Sequence, residues 1–157
     1  MNKGCKHIFI IFSVLLLLVG CSNQNDNKKS SMALIKTTQP TPVKLSNKNN
    51  ETLPVKVKKE VANIKEIYDV AVIEGNKTIL VAYKVKHLYR FRMKSIEKKL
   101  TDRLEKEYPN EKFVVSSDYK IFLEAVRLRE ALKAGKISKK DARKRFNDIV
   151  KLKEELT

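Results

Sequence analysis

Residues 67–85, IYDVAVIEGNKTILVAYKV, set the middle of the fold. The first part, residues 67–74, alternates, with Ile67, Val70, Val72 and Ile73 as its apolar members. The last part, residues 78–85, is rich in β-branched side chains, which are stiff at χ1 and suit a pleated surface. Gly75 and Asn76 between them form a hairpin signal, so two adjacent antiparallel strands are expected.

Outward from this hairpin the pattern becomes helical. Toward the N-terminus, Val57, Val61 and Ile64 recur at helical spacing. They predict a helix over 54–65, with Pro54 in its first turn and Thr52 as its cap. Toward the C-terminus, Ile96, Leu100 and Leu104 line one stripe of a helix over 90–107, with Phe91 and Met93 nearby, and Pro109-Asn110 stops it. A short strand, KFVVSS, follows at 112–117. Asp118 caps a helix over 119–134 that Gly135 ends. Ser138 and Asp141 fit a capping box that opens a last helix. Ala142, Phe146, Ile149, Leu152 and Leu156 form one face of it. The order α-β-β-α-β-α-α predicts a small α+β fold. It is a two-layer sandwich with a three-stranded sheet in αββαβ order and the first two helices on one face. The last two helices close an edge or extend the layer.

Ahead of this domain the chain changes character twice. Residues 1–21 read MNKGCKHIFIIFSVLLLLVGC. Lys3 and Lys6 form a positive start, and residues 8–19 form an apolar run interrupted only by Ser13. That run of about 12 residues is short for a bilayer of roughly 30 Å. It ends in Leu18-Val19-Gly20-Cys21, the lipobox pattern, which makes Cys21 the expected site of lipidation. From residue 22 Asn, Ser, Lys, Thr and Pro dominate. The expected organisation is a lipoprotein signal peptide over 1–20, a lipidated Cys21 with a flexible polar tether over 21–52, and one domain over 53–157.

The whole chain carries 34 Lys and Arg against 18 Asp and Glu, a formal +16. Loss of Lys3 and Lys6 with the leader leaves 32 basic against 18 acidic side chains, or +14. Such a balance favours polyanions: anionic lipid, wall polymer or nucleic acid. Export argues against nucleic acid as the partner. The most suggestive basic run is residues 84–94, KVKHLYRFRMK, which interleaves cations with Tyr89 and Phe91. Lys84, Lys86, Arg90, Arg92 and Lys94 are the candidate contacts to an anionic surface. In the plainer reading, which we favour at this point, Leu88 and Phe91 belong to the core and leave a solvated cationic rim. A second basic cluster, Lys136, Lys139, Lys140, Arg143, Lys144 and Arg145, reads as the polar face of the last helix.

Catalysis finds little footing. The two cysteines are Cys5 in the leader and Cys21, so no disulfide or cysteine metal site is expected in the mature chain. His87 is the one mature histidine, without a nucleophile pattern around it. Glu97, Glu105 and Glu107 lie among lysines and read as solvated i,i+4 pairs. Asp118 reads as a cap rather than an acid. No phosphate loop or nucleophile elbow occurs, and neither a cofactor nor a metal is expected.

Two stretches resemble a known family. VANIKEIYDVAVIEGNKTILVAYKV at 61–85 resembles the opening of the YhcN/YlaJ sporulation lipoproteins, where a helix precedes a "V-x-x-A-x-V-V" strand and an "A-x-V" strand. KFVVSSDYKIFLEAVRLREALKAGKIS at 112–138 is similar to the family's "V-V-T-A-D-P-D" segment, closest at Val114-Val115-Ser116-Ser117-Asp118, with Gly135 at the matching distance. Tyr119 stands where the family usually has Pro, and the helix before Pro109 is richer in Lys and Arg. The resemblance covers roughly 54–155 together with the leader and lipobox. It implies an endospore-forming Gram-positive host, attachment to the spore or forespore membrane, and a role in sporulation or germination without catalysis. The αββαβ order is also similar, at fold level only, to BON and ring-building domains. The expected partners are the membrane, through the lipid anchor, and an envelope protein or anionic polymer. The expected function is a non-enzymatic interaction module, with a binder of anionic polymer or lipid and an envelope hydrolase as the alternatives.

Overall fold

Ile67–Glu74 and Ile79–Val85 pair antiparallel, with Val72 opposite Val81 and Ile73 opposite Leu80. The Gly75 N–H donates to the Thr78 carbonyl at 2.9 Å and closes the hairpin. The computed structural model describes residues 38–47 and 52–156. In chain order the elements are β1 (Val43–Lys44), α1 (Leu53–Ala62), β2 (Ile67–Glu74), β3 (Ile79–Val85), a 3-10 helix (His87–Arg92), α2 (Met93–Glu107), β4 (Phe113–Ser116), α3 (Tyr119–Lys133) and α4 (Lys139–Glu155). The signal peptide, Cys21 and the first part of the expected tether lie outside the described residues.

The α+β class is as expected, with two differences in its layout. The sheet has four strands in the order β1-β2-β3-β4 rather than three. β1 runs parallel to β2, and β4 runs parallel to β3. The helices also cover both faces instead of one. Val70, Val72, Val81 and Tyr83 meet Val57 and Val61 of α1 and Ile96, Leu100 and Leu104 of α2. Ala71, Ile73, Leu80 and Ala82 meet Ile121, Phe122 and Ala125 of α3 and Ala142, Phe146 and Ile149 of α4. The reason lies in the strands. Nearly every position of β2 and β3 is buried, as in sheets whose two faces are both packed. A two-layer arrangement would leave the second apolar face in water.

Local signals place most helix ends. The Asp118 carboxylate accepts the Lys120 and Ile121 N–H groups at 2.7 and 3.1 Å. Ser138 Oγ accepts the Asp141 N–H at 3.1 Å. Gly135 (φ 65°) ends α3, with the Lys136 N–H returning to the Ala131 carbonyl at 2.9 Å. That left-handed step is cheap only for glycine. Thr52 departs from its expected cap geometry and is already helical (φ −87°, ψ −20°). Gly75 serves a different need: a Cβ there would run into the Phe146 ring of α4.

The second strand pair explains a segment expected to be tether. Residues 38–47 lie along the outer edge of β2 as a strap. Val43 and Lys44 pair with Ile73 and Glu74, and the Leu45 N–H donates to the Glu74 carbonyl at 2.8 Å. Leu45 and Pro40 are buried. Pro40 and Pro42 lack an N–H and suit a sheet edge. Their presence, with a strand of only two residues, hides the strap from any reading of periodicity.

Candidate functional site

β2 contains two buried carboxylates, Asp69 (0 % exposed) and Glu74 (1 %). Both turn toward the strap. Asp69 accepts the Thr38 N–H and hydroxyl at 2.8 and 3.1 Å and the Gln39 N–H at 3.0 Å. Glu74 accepts a hydrogen bond from the Ser46 hydroxyl. Side chains from three helices hold the strap from outside. Lys58 Nζ of α1 donates to the Pro40 carbonyl at 2.7 Å, and Arg129 of α3 donates to Thr41 Oγ1 at 3.1 Å. Arg143 of α4 donates to the Leu45 carbonyl at 2.9 Å and to Asn47 Oδ1 at 3.0 Å. Burial lowers the pKa of Lys58, and the nearby Asp69 charge opposes that shift.

Asp69 also decides the fate of the first candidate surface cation. A bulge at Tyr68 sets Asp69 opposite Lys84, so both side chains face the α3 side of the sheet. Lys84 is 5 % exposed, and its ammonium lies 3.3 Å from Asp69 Oδ2. It sits over the rings of Tyr68 and Phe122 at 5.0 and 4.8 Å from their centres. Lys84 is therefore an internal ion-pair partner and not a surface contact, because the second helical layer covers its face of the sheet.

The remaining four candidates are exposed together. Arg90 and Arg92 lie on the 3-10 helix that leaves the end of β3, and Lys86 and Lys94 flank it. The Lys86 N–H donates to the Glu66 carbonyl at 2.8 Å, which fixes this turn to the start of β2. Tyr89 and Met93 pack against the core and hold the turn from inside. Leu88 and Phe91 point outward. They are 85 % and 101 % exposed, which overturns the expectation that both belong to the core. A 3-10 helix has three residues per turn, so Leu88 and Phe91 share one edge and Tyr89 shares another with Arg92. The signal was present in the sequence. At 100° per residue Phe91 lies about 140° from Ile96, off the seam of α2.

The sheet topology gathers more groups at this end. β3 and β4 run parallel and β2 runs against them, so the end of β3, the end of β4 and the start of β2 coincide. Tyr119, 42 % exposed at the start of α3, joins Tyr68 there, and burial followed by the neighbouring Tyr68 raises its pKa. The strap enters at the same end, because Gln39 Nε2 donates to the Tyr68 carbonyl at 2.9 Å. His87 is exposed on the 3-10 helix.

The groups first read as surface carboxylates divide. Glu107 pairs with Arg103 at 3.9 Å on the face of α2, as expected. Glu97 instead bridges three elements, accepting the Ser117 N–H and hydroxyl at 2.9 and 2.8 Å and pairing with Lys153 of α4 at 3.1 Å. In the second basic cluster, Arg145 pairs with Glu124 at 3.1 Å, and Arg127 pairs with the same carboxylate. Burial would raise the Glu124 pKa, but the two guanidinium groups hold it below the usual carboxylate value. Among the described residues no group of three His, Cys, Asp or Glu side chains could hold a metal, and no helix is long and apolar enough to cross a membrane.

The model of the sporulation lipoprotein YhcN/YlaJ family matches residues 20–151. The chain belongs to the YhcN/YlaJ family of sporulation lipoproteins. The matched span takes in the strap as well as the hairpin, α2 and most of α4, whereas the resemblance was carried by roughly 54–155 together with the leader and lipobox. Comparison with curated proteins and with solved structures gave no match.

Proposed function

We propose that this YhcN/YlaJ-family chain is a non-enzymatic, lipid-anchored module of the spore or cell envelope, held by Cys21 on the outer side of a membrane. Its working element is the basic, aromatic end around residues 86–94. One observation carries this reading: Leu88 and Phe91 stand in solvent among four exposed cations, on a turn tied to the start of β2 by Lys86 and to the core by Tyr89 and Met93. A fold gains nothing in stability from exposing two large apolar side chains, so an external surface is their natural counterpart. The run from Lys86 to Lys94 contains no acidic residue, which favours an anionic surface, either lipid or wall polymer, over a neutral one.

The same geometry weighs against the hydrolase reading. Asp118 spends its carboxylate on two backbone N–H groups, and Glu97 spends its own on Ser117 and Lys153. Both are structural ties. The test is fractionation of developing spores. The mature chain, beginning at Cys21, is expected in the membrane fraction, released by detergent but not by salt, with a diacylglyceryl mass on Cys21. A free thiol at that position, or a chain found only in the cytoplasm, would end this proposal.

A further inference from the structure

The same end of the sheet carries the exposed 3-10 helix and receives the strap that leads back to Cys21. Thr38, the first described residue of the strap, is hydrogen-bonded to Asp69, opposite Lys84 and two residues along the strands from Lys86. Thr38 follows Cys21 by seventeen residues, a span of at most about 60 Å for any chain conformation. The first described residues of the strap and the edge formed by Leu88 and Phe91 therefore lie at the same end of the sheet, within the reach of a lipid on Cys21. The opposite end of the sheet exposes Asn76, Lys77, Pro109 and Asn110, with Val55 on the first turn of α1 as its one exposed large aliphatic side chain among the described residues.

We propose that the 3-10 helix is a membrane wedge that seats the domain, this end down, on the same anionic bilayer that holds its lipidated cysteine. Leu88 and Phe91 enter the boundary between headgroups and acyl chains. Lys86, Arg90, Arg92 and Lys94 meet the phosphates around them, and Tyr68 and Tyr119 lie alongside at headgroup level, where aromatic rings with a polar tip are favoured. This rests on the lipid-anchored reading above and names its surface: lipid rather than wall polymer, and the chain's own membrane rather than a facing one. The physical argument is complementarity. A wall polymer offers charge but no apolar phase, and would leave Leu88 and Phe91 as exposed as before. A bilayer offers both. A second weak contact beside a lipid chain also turns a loose tether into a fixed orientation.

The chain contains no Trp, so Phe91→Trp places a single reporter at the tip. The probe is the chain from residue 21, coupled through Cys21 to vesicles of phosphatidylglycerol and phosphatidylcholine, at a dilution where vesicles do not meet. The expected result is a blue-shifted emission, quenched by lipids brominated high on the acyl chain. In the uncoupled chain, Leu88→Ser with Phe91→Ser is expected to lower vesicle partition by roughly tenfold, the effect of removing modest apolar burial. Circular dichroism of both variants is expected to match the parent, because these side chains touch solvent. Emission that stays at the water value would overturn the wedge. If Lys86→Glu with Arg90→Glu and Arg92→Glu still lowers vesicle binding in that case, the basic-surface reading survives alone. Quenching that arises only on adding separate brominated vesicles would overturn the shared-membrane orientation. Equal partition of the Ser variant and the parent would also overturn the proposal.

Discussion

The strap and the 3-10 helix leave the same end of the sheet and treat their side chains in opposite ways. Residues 38–47 are mostly polar, yet their backbone and hydroxyl donors end on Asp69 and Glu74, and Lys58, Arg129 and Arg143 close over them. Residues 87–92 contain Leu88 and Phe91, yet these face water. The contrast teaches that polarity alone does not separate structure from surface. A polar segment becomes structure where the core holds charges that need partners. An apolar residue becomes surface where a short helix rotates it off the packed seam.

Breaking the strap side should produce the largest effect. Asp69→Ala leaves the Lys84 ammonium buried without its carboxylate and removes the anchor of Thr38 and Gln39. A loss of about 3–5 kcal/mol is expected from urea unfolding of the chain lacking residues 1–21. Combining it with Lys84→Met should recover much of that loss, since an apolar side chain of similar length replaces the stranded charge. No loss on Asp69→Ala would mean the strap is held by something other than β2's buried carboxylate.

Arg143→Ala tests the far end of the strap. It removes charge-assisted bonds to Leu45 and Asn47 from a partly exposed side chain, and about 1 kcal/mol is expected. Protease cleavage within residues 38–47 should accelerate at the same time, because opening of a weakly held segment exposes it.

Acid sharpens the same contrast. Glu124 joins α3 and α4, the layer that supplies Arg129 and Arg143, and its folded pKa lies below its unfolded value. Its contribution is therefore present above the unfolded pKa and is lost as pH falls through the folded one. Between pH 7 and pH 3 the Tm of Glu124→Gln should fall less than that of the parent. Equal falls would show that the two guanidinium contacts do not couple to stability.

The smallest effect is expected at the wedge. Leu88→Ser with Phe91→Ser should change the unfolding free energy by less than about 0.5 kcal/mol, as for surface substitutions that break no contact. A loss as large as that of Asp69→Ala would place these side chains in the core and erase the contrast.

Much of the fold was legible because its signals are local. The hairpin around Gly75, the seam of Ile96, Leu100 and Leu104, and the caps at Asp118 and Ser138 each involve residues a few positions apart. The candidate site was legible in part. Lys86, Arg90, Arg92 and Lys94 are exposed as expected, and Lys84 is not. Lys84 alternates with Tyr83 and Val85 in a strand whose two faces are both covered, and a strand pattern does not reveal how many layers will pack on it. The strap was hidden for the related reason that its partners lie about thirty residues away.

The sequence by itself determined the two central strands, the helical seams and their ends, and the basic character of the turn after β3. These follow from periodicity, β-branching and capping, which act between neighbours along the chain. Only the tertiary structure decided that a proline-containing segment would join the sheet and that Asp69 and Lys84 would be buried together. Each of those outcomes depends on what occupies the space beside the residue, and distant parts of the chain fill that space.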